Sequence, residues 1–281
     1  MGRLRESGCQ LPLSGLTIPG THNTMAVVGK AGRIPVLSDM AQCQNHNLVE
    51  QLLMGVRSVD FRVGFNFELR HGRADLSAGR LHDALDTINN YLKSHPGETI
   101  IVGAKWDMEN ITGYRHPEPA NLRQDIEKLF FSYSNALDIT TPPMLSDTRG
   151  KMLLLVEGNN NPRGIRCNGP SFFPSIPETP WKESKKWEEV SQYLAFNLSR
   201  KDIVKEEWYH VGLNDFYLES FGDVITKKMV TPENFAQFLN PRLIQWIKGN
   251  CKGGGRARLG RVEVDFAAPD LILELVQTNF S

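Results

Sequence analysis

No apolar run in the 281 residues approaches the length of a bilayer span, so the chain is expected to be soluble. Net charge is absent as well: Lys plus Arg total 32 and Asp plus Glu total 32, which leaves no global field to draw in nucleic acid or an anionic membrane. Cysteine is scarce. Cys9, Cys43, Cys167 and Cys251 show no Cys-x-x-Cys spacing and no histidine at zinc-finger distance, which argues against a structural metal and leaves free thiols or disulfides both open. No Gly-x-Gly-x-x-Gly turn follows the first strand-like run, against a dinucleotide-binding sheet. Met1 to Gln10 is too polar and short for a signal peptide, and Glu6 replaces the Ser or Thr of a myristoylation motif. The expected location is therefore either cytoplasmic or that of a mature secreted form.

What is present is an alternation of apolar runs with amphipathic stretches from end to end, the pattern of beta-alpha units around a parallel sheet. Strands are expected at Gly15 to Ile18, Arg57 to Val63, Phe67 to Arg70, Thr99 to Lys105, Lys151 to Glu157, Tyr209 to Leu213 and Arg261 to Phe266. Helical spacing marks Asn47 to Met54, Gly79 to Ser94, Glu118 to Phe131, Lys182 to Asn197, Thr231 to Lys248 and Pro269 to Gln277. Met25 to Gln42, Gly158 to Pro180 and Gly249 to Gly260 read as irregular, yet the alternation resumes after each. We expect one domain over residues 1–281, an α/β fold closed as a distorted (β/α)8 TIM-type barrel.

Chemistry in such a barrel belongs at the carboxyl ends of the strands. The polar residues falling there are His22, Asn23, Asp60, Arg62, His71, Lys105, Glu157, Asp215, Tyr217 and Asp265. Two histidines and an arginine suit phosphoryl transfer: one imidazole takes a proton from an attacking hydroxyl, the other gives one to the leaving oxygen, and the guanidinium holds the charge on the phosphoryl oxygens. Asp60 and Arg62 are two apart and share one face of a strand. The bland alternatives are a plain salt bridge for that pair and a surface position for Lys105. Trp187 is expected to pack on the core rather than anchor in lipid. The basic run Lys252, Arg256, Arg258 and Arg261 reads as a solvated turn, or less readily as a contact for anionic head groups.

The ordered pieces Ile18-Pro19-Gly20-Thr21-His22, Asp60-Phe61-Arg62, His71-Gly72 and the strand ending in Lys105 resemble the phosphatidylinositol-specific phospholipase C family in its compact bacterial and fungal form. That resemblance implies an X-domain barrel, a peripheral membrane lyase that releases diacylglycerol and inositol 1,2-cyclic phosphate. It implies His22 as general base, His71 as general acid, Arg62 as the charge stabiliser and Asp265 as the carboxylate orienting His22, with Asp60 supporting Arg62. Asn23, Lys105, Glu157, Asp215 and Tyr217 are the implied substrate contacts. Two positions depart from the compact pattern: Asn23 replaces an Asp, and Glu157 stands where an inositol-binding Arg is expected. Asn23 raises the question of calcium, which Arg62 and Lys105 disfavour, so no metal and no cofactor are expected. The expected partner is phosphatidylinositol or a glycosyl-phosphatidylinositol at a membrane surface, with no nucleic acid, no protein partner and a monomeric enzyme. The competing readings are a metal-dependent glycerophosphodiesterase or sphingomyelinase D type barrel, and a catalytically weak inositol-lipid-binding barrel.

Overall fold

A computed structural model describes residues 11–27, 41–71, 74–108, 115–139, 143–156, 165–166, 183–199, 210–213, 231–251 and 256–280. Among these, seven strands form a continuous parallel run. In chain order they are β1 (Thr17–Thr21), β2 (Ser58–Val63), β5 (Thr99–Trp106), β6 (Ala136–Leu137), β7 (Lys151–Val156), β9 (His210–Gly212) and β10 (Gly260–Val264). Their order across the sheet is β6-β7-β5-β2-β1-β10-β9. The remaining strands are β3 (Glu68–His71) and β4 (Ala74–Arg80), an antiparallel pair hung from β2, and β8 (Ile165–Arg166), parallel to β7.

Alternation along these strands sorts the apolar residues into two bodies. Val59, Phe61, Val63, Ile100, Val102, Met152, Leu154, Val211, Val262 and Val264 point outward and join the helices in the larger core. Ile18, Ile101, Leu153 and Leu155 point inward and form a second cluster with Leu13, Leu16 and Leu145. Ile18 on β1 and the leucines on β7 are separated by two intervening strands. In a flat sheet with strands about 4.8 Å apart they would not meet, so the sheet is rolled and the second cluster plugs the interior of a barrel.

The six described helices pack outside. They are α1 (Leu48–Met54), α2 (Leu81–Ser94), α3 (Leu122–Phe130), α4 (Glu183–Ser199), α5 (Pro232–Asn250) and α6 (Pro269–Gln277). Their starts follow local chemistry. Asn47 caps α1 by accepting from the Glu50 amide at 3.0 Å while Glu50 accepts from the Asn47 amide at 2.9 Å, a reciprocal cap worth about 1 kcal/mol. Thr231 caps α5, and prolines at the first turns of α5 and α6 cost no hydrogen bond. Gly55 ends α1 with φ 118°, a left-handed conformation that favours glycine.

The first and last described strands are sewn together. β1 pairs with β10 over its whole length, and the Asn279 side chain both accepts from the Thr17 amide and donates to the Thr17 carbonyl, each at 2.9 Å. Most expected elements occur with shifted ends. The first strand starts at Thr17 rather than Gly15, because Leu13–Gly15 is a 3₁₀ turn. The Phe67 to Arg70 run is a strand, but it belongs to the antiparallel flange and not to the barrel wall.

Two members of the basic run depart from expectation, while Arg256 is half-buried and Lys252 lies outside the described residues. Arg258 and Arg261 are neither solvated nor lipid-facing: both are buried, Arg258 donating to the Ser14 carbonyl and Arg261 pairing with Glu263 at 2.9 Å inside the barrel. Glu263 also holds His210 at 3.0 Å, so the lumen carries a neutralised polar layer beneath the site. Burial opposes ionisation of Glu263, but Arg261 and His210 outweigh it and hold its carboxyl below the usual range. Trp187 packs on the larger core as expected.

Candidate active site

Parallel strands place their carboxyl ends on one rim, and four of the expected residues meet there. His22 follows β1, Arg62 lies near the end of β2, Lys105 near the end of β5, and Asp265 follows β10. Arg62 and Lys105 are register partners across β2 and β5, so both cations face the lumen side by side. His71 reaches the same rim from the end of β3. The two imidazoles stand with ring centroids 6.0 Å apart and planes at 86°.

Each imidazole is fixed through Nδ1. His22 Nδ1 lies 2.8 Å from Asp265 Oδ1, and since a carboxylate accepts, Nδ1 carries the hydrogen and Nε2 keeps its lone pair. His71 Nδ1 lies 2.8 Å from the Ala41 carbonyl, which again assigns the Nδ1 hydrogen and leaves Nε2 for the substrate. Burial pushes both histidines below the ordinary imidazole range. Arg62 adds to the fall at each, while Asp60 pulls the other way. His22 is thus a neutral base at rest. For His71 the Ala41 carbonyl and Asp107 favour the charged ring, but burial outweighs them.

Asp60 organises the cationic side. Its Oδ2 accepts from Arg62 Nε at 2.7 Å and from the Asn23 backbone amide at 3.1 Å, tying β2 to the turn that carries His22. Thr24 completes the tie: its amide donates to the Asp60 carbonyl and its hydroxyl accepts from the Asp60 amide, both at 2.9 Å. Burial opposes the Asp60 charge, yet Arg62, Lys105 and His22 together hold its carboxyl well below the usual range. Asn23 is buried with φ 37° and its side-chain amide faces the Arg70 carbonyl at 3.5 Å, so it braces the turn. Glu157, Asp215 and Tyr217 lie outside the described residues.

Three contributors escape the sequence pattern. Asp107, just past β5, stands 3.9 Å from Arg62 Nη1. Gln44 donates to the His22 carbonyl at 2.9 Å and to the Val264 carbonyl at 3.0 Å, clamping both strands of the His22–Asp265 pair. Cys43 is buried with Sγ 3.7 Å from His71 Nδ1. Burial raises its thiol well above the usual range, and Asp265 adds to that. Their common signal is position on a rim loop or just beyond a strand end.

A rolled α/β sheet with two imidazoles fixed through Nδ1 and a partly buried guanidinium on one rim suits a barrel that works on a phosphodiester. A family model described as phosphatidylinositol-specific phospholipase C, X domain, matches residues 11–157, and the chain belongs to that family. The 1-phosphatidylinositol phosphodiesterase of Listeria monocytogenes serovar 1/2a is 28% identical over 278 residues, covering 95% of this chain and 81% of that protein. Among solved structures, the phosphatidylinositol-specific phospholipase C from Listeria monocytogenes matches with TM-score 0.75 at 24% identity, over 96% of this chain and 95% of that one. A mutant of the Staphylococcus aureus enzyme of the same name matches with TM-score 0.73 at 22% identity, over 96% and 93%. These structural likenesses establish the fold as an α/β barrel of the TIM type.

Proposed function

We propose that the chain is a phosphatidylinositol diacylglycerol-lyase that works with its own side chains in place of a metal. Membership of the family and the likeness to a phosphatidylinositol phosphodiesterase support the substrate class. The observation that carries the chemistry is the His22–Asp265 pair facing His71, with Arg62 close enough to act on both rings.

In the first step the inositol 2-hydroxyl attacks its own phosphorus. His22 Nε2 takes the hydroxyl proton, and the Asp265 carboxylate at Nδ1 stabilises the imidazolium that forms. Arg62, locked by Asp60 through Nε, presents its terminal nitrogens to the charge growing on the phosphoryl oxygens, with Lys105 beside it. His71, which takes up a second proton at Nε2 as the anionic phosphodiester binds, gives that proton to the glycerol oxygen as the phosphorus–oxygen bond breaks. The products are diacylglycerol and inositol 1,2-cyclic phosphate, after which water repeats the exchange in reverse. A divalent ion lodged between Arg62 and Lys105 would be repelled by several kcal/mol at an effective dielectric near ~20, which is why the guanidinium takes that role.

No described helix is long and apolar enough to cross a membrane. We read the chain as one catalytic barrel of residues 1–281 that acts as a monomer on phosphatidylinositol, free or glycosylated, at a membrane surface. The test is a phosphorus NMR time course on phosphatidylinositol vesicles with and without chelator. Cyclic phosphate should appear at the same rate in both, and His22→Ala and His71→Ala should abolish it while far-UV circular dichroism stays unchanged. Folded protein that leaves the lipid intact, or a rate that chelator removes and a divalent ion restores, overturns the reading.

A further inference from the structure

Cys43 stands inside the site, and the reaction above gives it no task. Its sulfur and the ligand atoms of His22 and Asp265 all lie within 4.8 Å of one another, and all three residues are buried. A thiol, an imidazole and a carboxylate form a borderline-soft donor set. Zinc takes such ligands tetrahedrally, at about 2.3 Å for sulfur, 2.0–2.1 Å for nitrogen and 2.0–2.2 Å for oxygen, which sets the donors of one ion roughly 3.3–3.8 Å apart. The His22–Asp265 contact at 2.8 Å opens slightly to meet that spacing, and the sulfur closes by about an ångström.

We propose that Cys43, Asp265 and His22 Nδ1 form an inhibitory site for a thiophilic divalent cation of the zinc type. The word inhibitory rests on His22 being the base. When the ion binds, the Cys43 S–H bond breaks and its proton leaves to solvent, the sulfur bonding the metal as thiolate. The Nδ1–H bond of His22 also breaks, its proton moves to Nε2, and the freed Nδ1 lone pair bonds the metal. The ring remains neutral, but Nε2 now carries a hydrogen and has no lone pair for the inositol hydroxyl. Asp265 turns from orienting the base to binding the ion.

Arg62 acts on His22 and Cys43, and Lys105 on His22, so the same cations reach this place as the rejected one beside Arg62. The difference is that a thiolate and a carboxylate would ligate the ion here and neutralise it directly. The hard ions magnesium and calcium prefer oxygen ligands and do not suit the set.

The experiment uses the full chain freed of metal by chelator and then titrated with cobalt chloride as the spectroscopic stand-in for zinc. The parent should develop a thiolate-to-cobalt charge-transfer absorption that added zinc chloride removes. Cys251→Ala, which alters the other free cysteine among the described residues, should keep that absorption. Cys43→Ala and Cys43→Thr should lack it. Phosphatidylinositol cleavage should fall with added zinc and return with chelator. Scaled to each variant's own metal-free rate, the zinc needed for half-inhibition should rise at least roughly tenfold in both Cys43 variants. No charge-transfer absorption in the parent, its survival in either folded Cys43 variant, or unchanged zinc sensitivity overturns the proposal. The absorption in a parent that cleaves no lipid overturns the lyase reading while upholding the metal site.

Discussion

Asp60→Asn separates a working carboxylate from a structural one. The substitution keeps the shape and one acceptor oxygen, but it removes the charge that faces the Arg62 Nε at 2.7 Å in a side chain only 6% exposed. A charge-assisted hydrogen bond of this kind contributes about 1.5–3 kcal/mol. If Arg62 needs that anchor to meet the phosphoryl group, kcat should fall by roughly tenfold to 150-fold, at about 1.4 kcal/mol per decade. A looser protein would show a fall too, so the pH profile decides. Asp60 pulls the His22 pKa upward, and its loss lets burial and Arg62 lower that pKa further. The acid limb of kcat/KM, which reports the free base, should therefore move to lower pH. The assay is cyclic-phosphate release from phosphatidylinositol vesicles between pH 4 and 8, with a urea midpoint for each protein. A folded variant within twofold of the parent, or a reduced rate whose acid limb is unmoved, refutes the assignment.

Three further outcomes are expected. Arg62→Lys keeps the charge but cannot hold Asp60 and reach the phosphoryl oxygens with a planar fork, so kcat should drop about 10²–10³-fold with KM little changed; a loss confined to KM would contradict this. Stability should decline on acidification: the folded pKa values of His22 and His71 are lowered, so the unfolded chain takes up protons first as pH falls through about 6.5. The Asp60 contribution, present above about pH 4, is lost below it. A urea midpoint equal at pH 7 and pH 5 would deny the histidine part. Gly20→Ala places a Cβ 2.9 Å from Glu263 Cγ and 3.1 Å from Ser58 Cβ within the lumen, which should cost about 1–3 kcal/mol by urea denaturation; an unchanged midpoint would show that Glu263 moves freely.

The barrel was legible because its strands are buried on both faces, so they read as dense apolar runs, while the helices keep their stripe. The elements that escaped are short or polar. Ala136–Leu137 and Ile165–Arg166 are two residues each, and Ala74–Arg80 belongs to a flange rather than the wall. His22, Arg62, His71 and Asp265 were legible from order along the chain, since each closes or follows a strand. Cys43 and Gln44 were not, because their chemistry comes from contacts with residues far away in sequence and no local pattern encodes that. The arginines of β10 and the segment before it misled for a related reason: Arg261, Glu263 and Asp265 alternate with valines, and only the rolling of the sheet turns that polar face inward.

The seam between the first and last strands sets a time as well as a place. His22 Nδ1 and Asp265 Oδ1 meet across 243 residues of chain, and β1 has no β10 to pair with until synthesis has passed Val264. Contacts of such separation form late in folding. A ribosome-bound chain therefore carries its guanidinium and both imidazoles long before the carboxylate that aims the base, and the site stays incomplete until β10 and Asp265 have emerged.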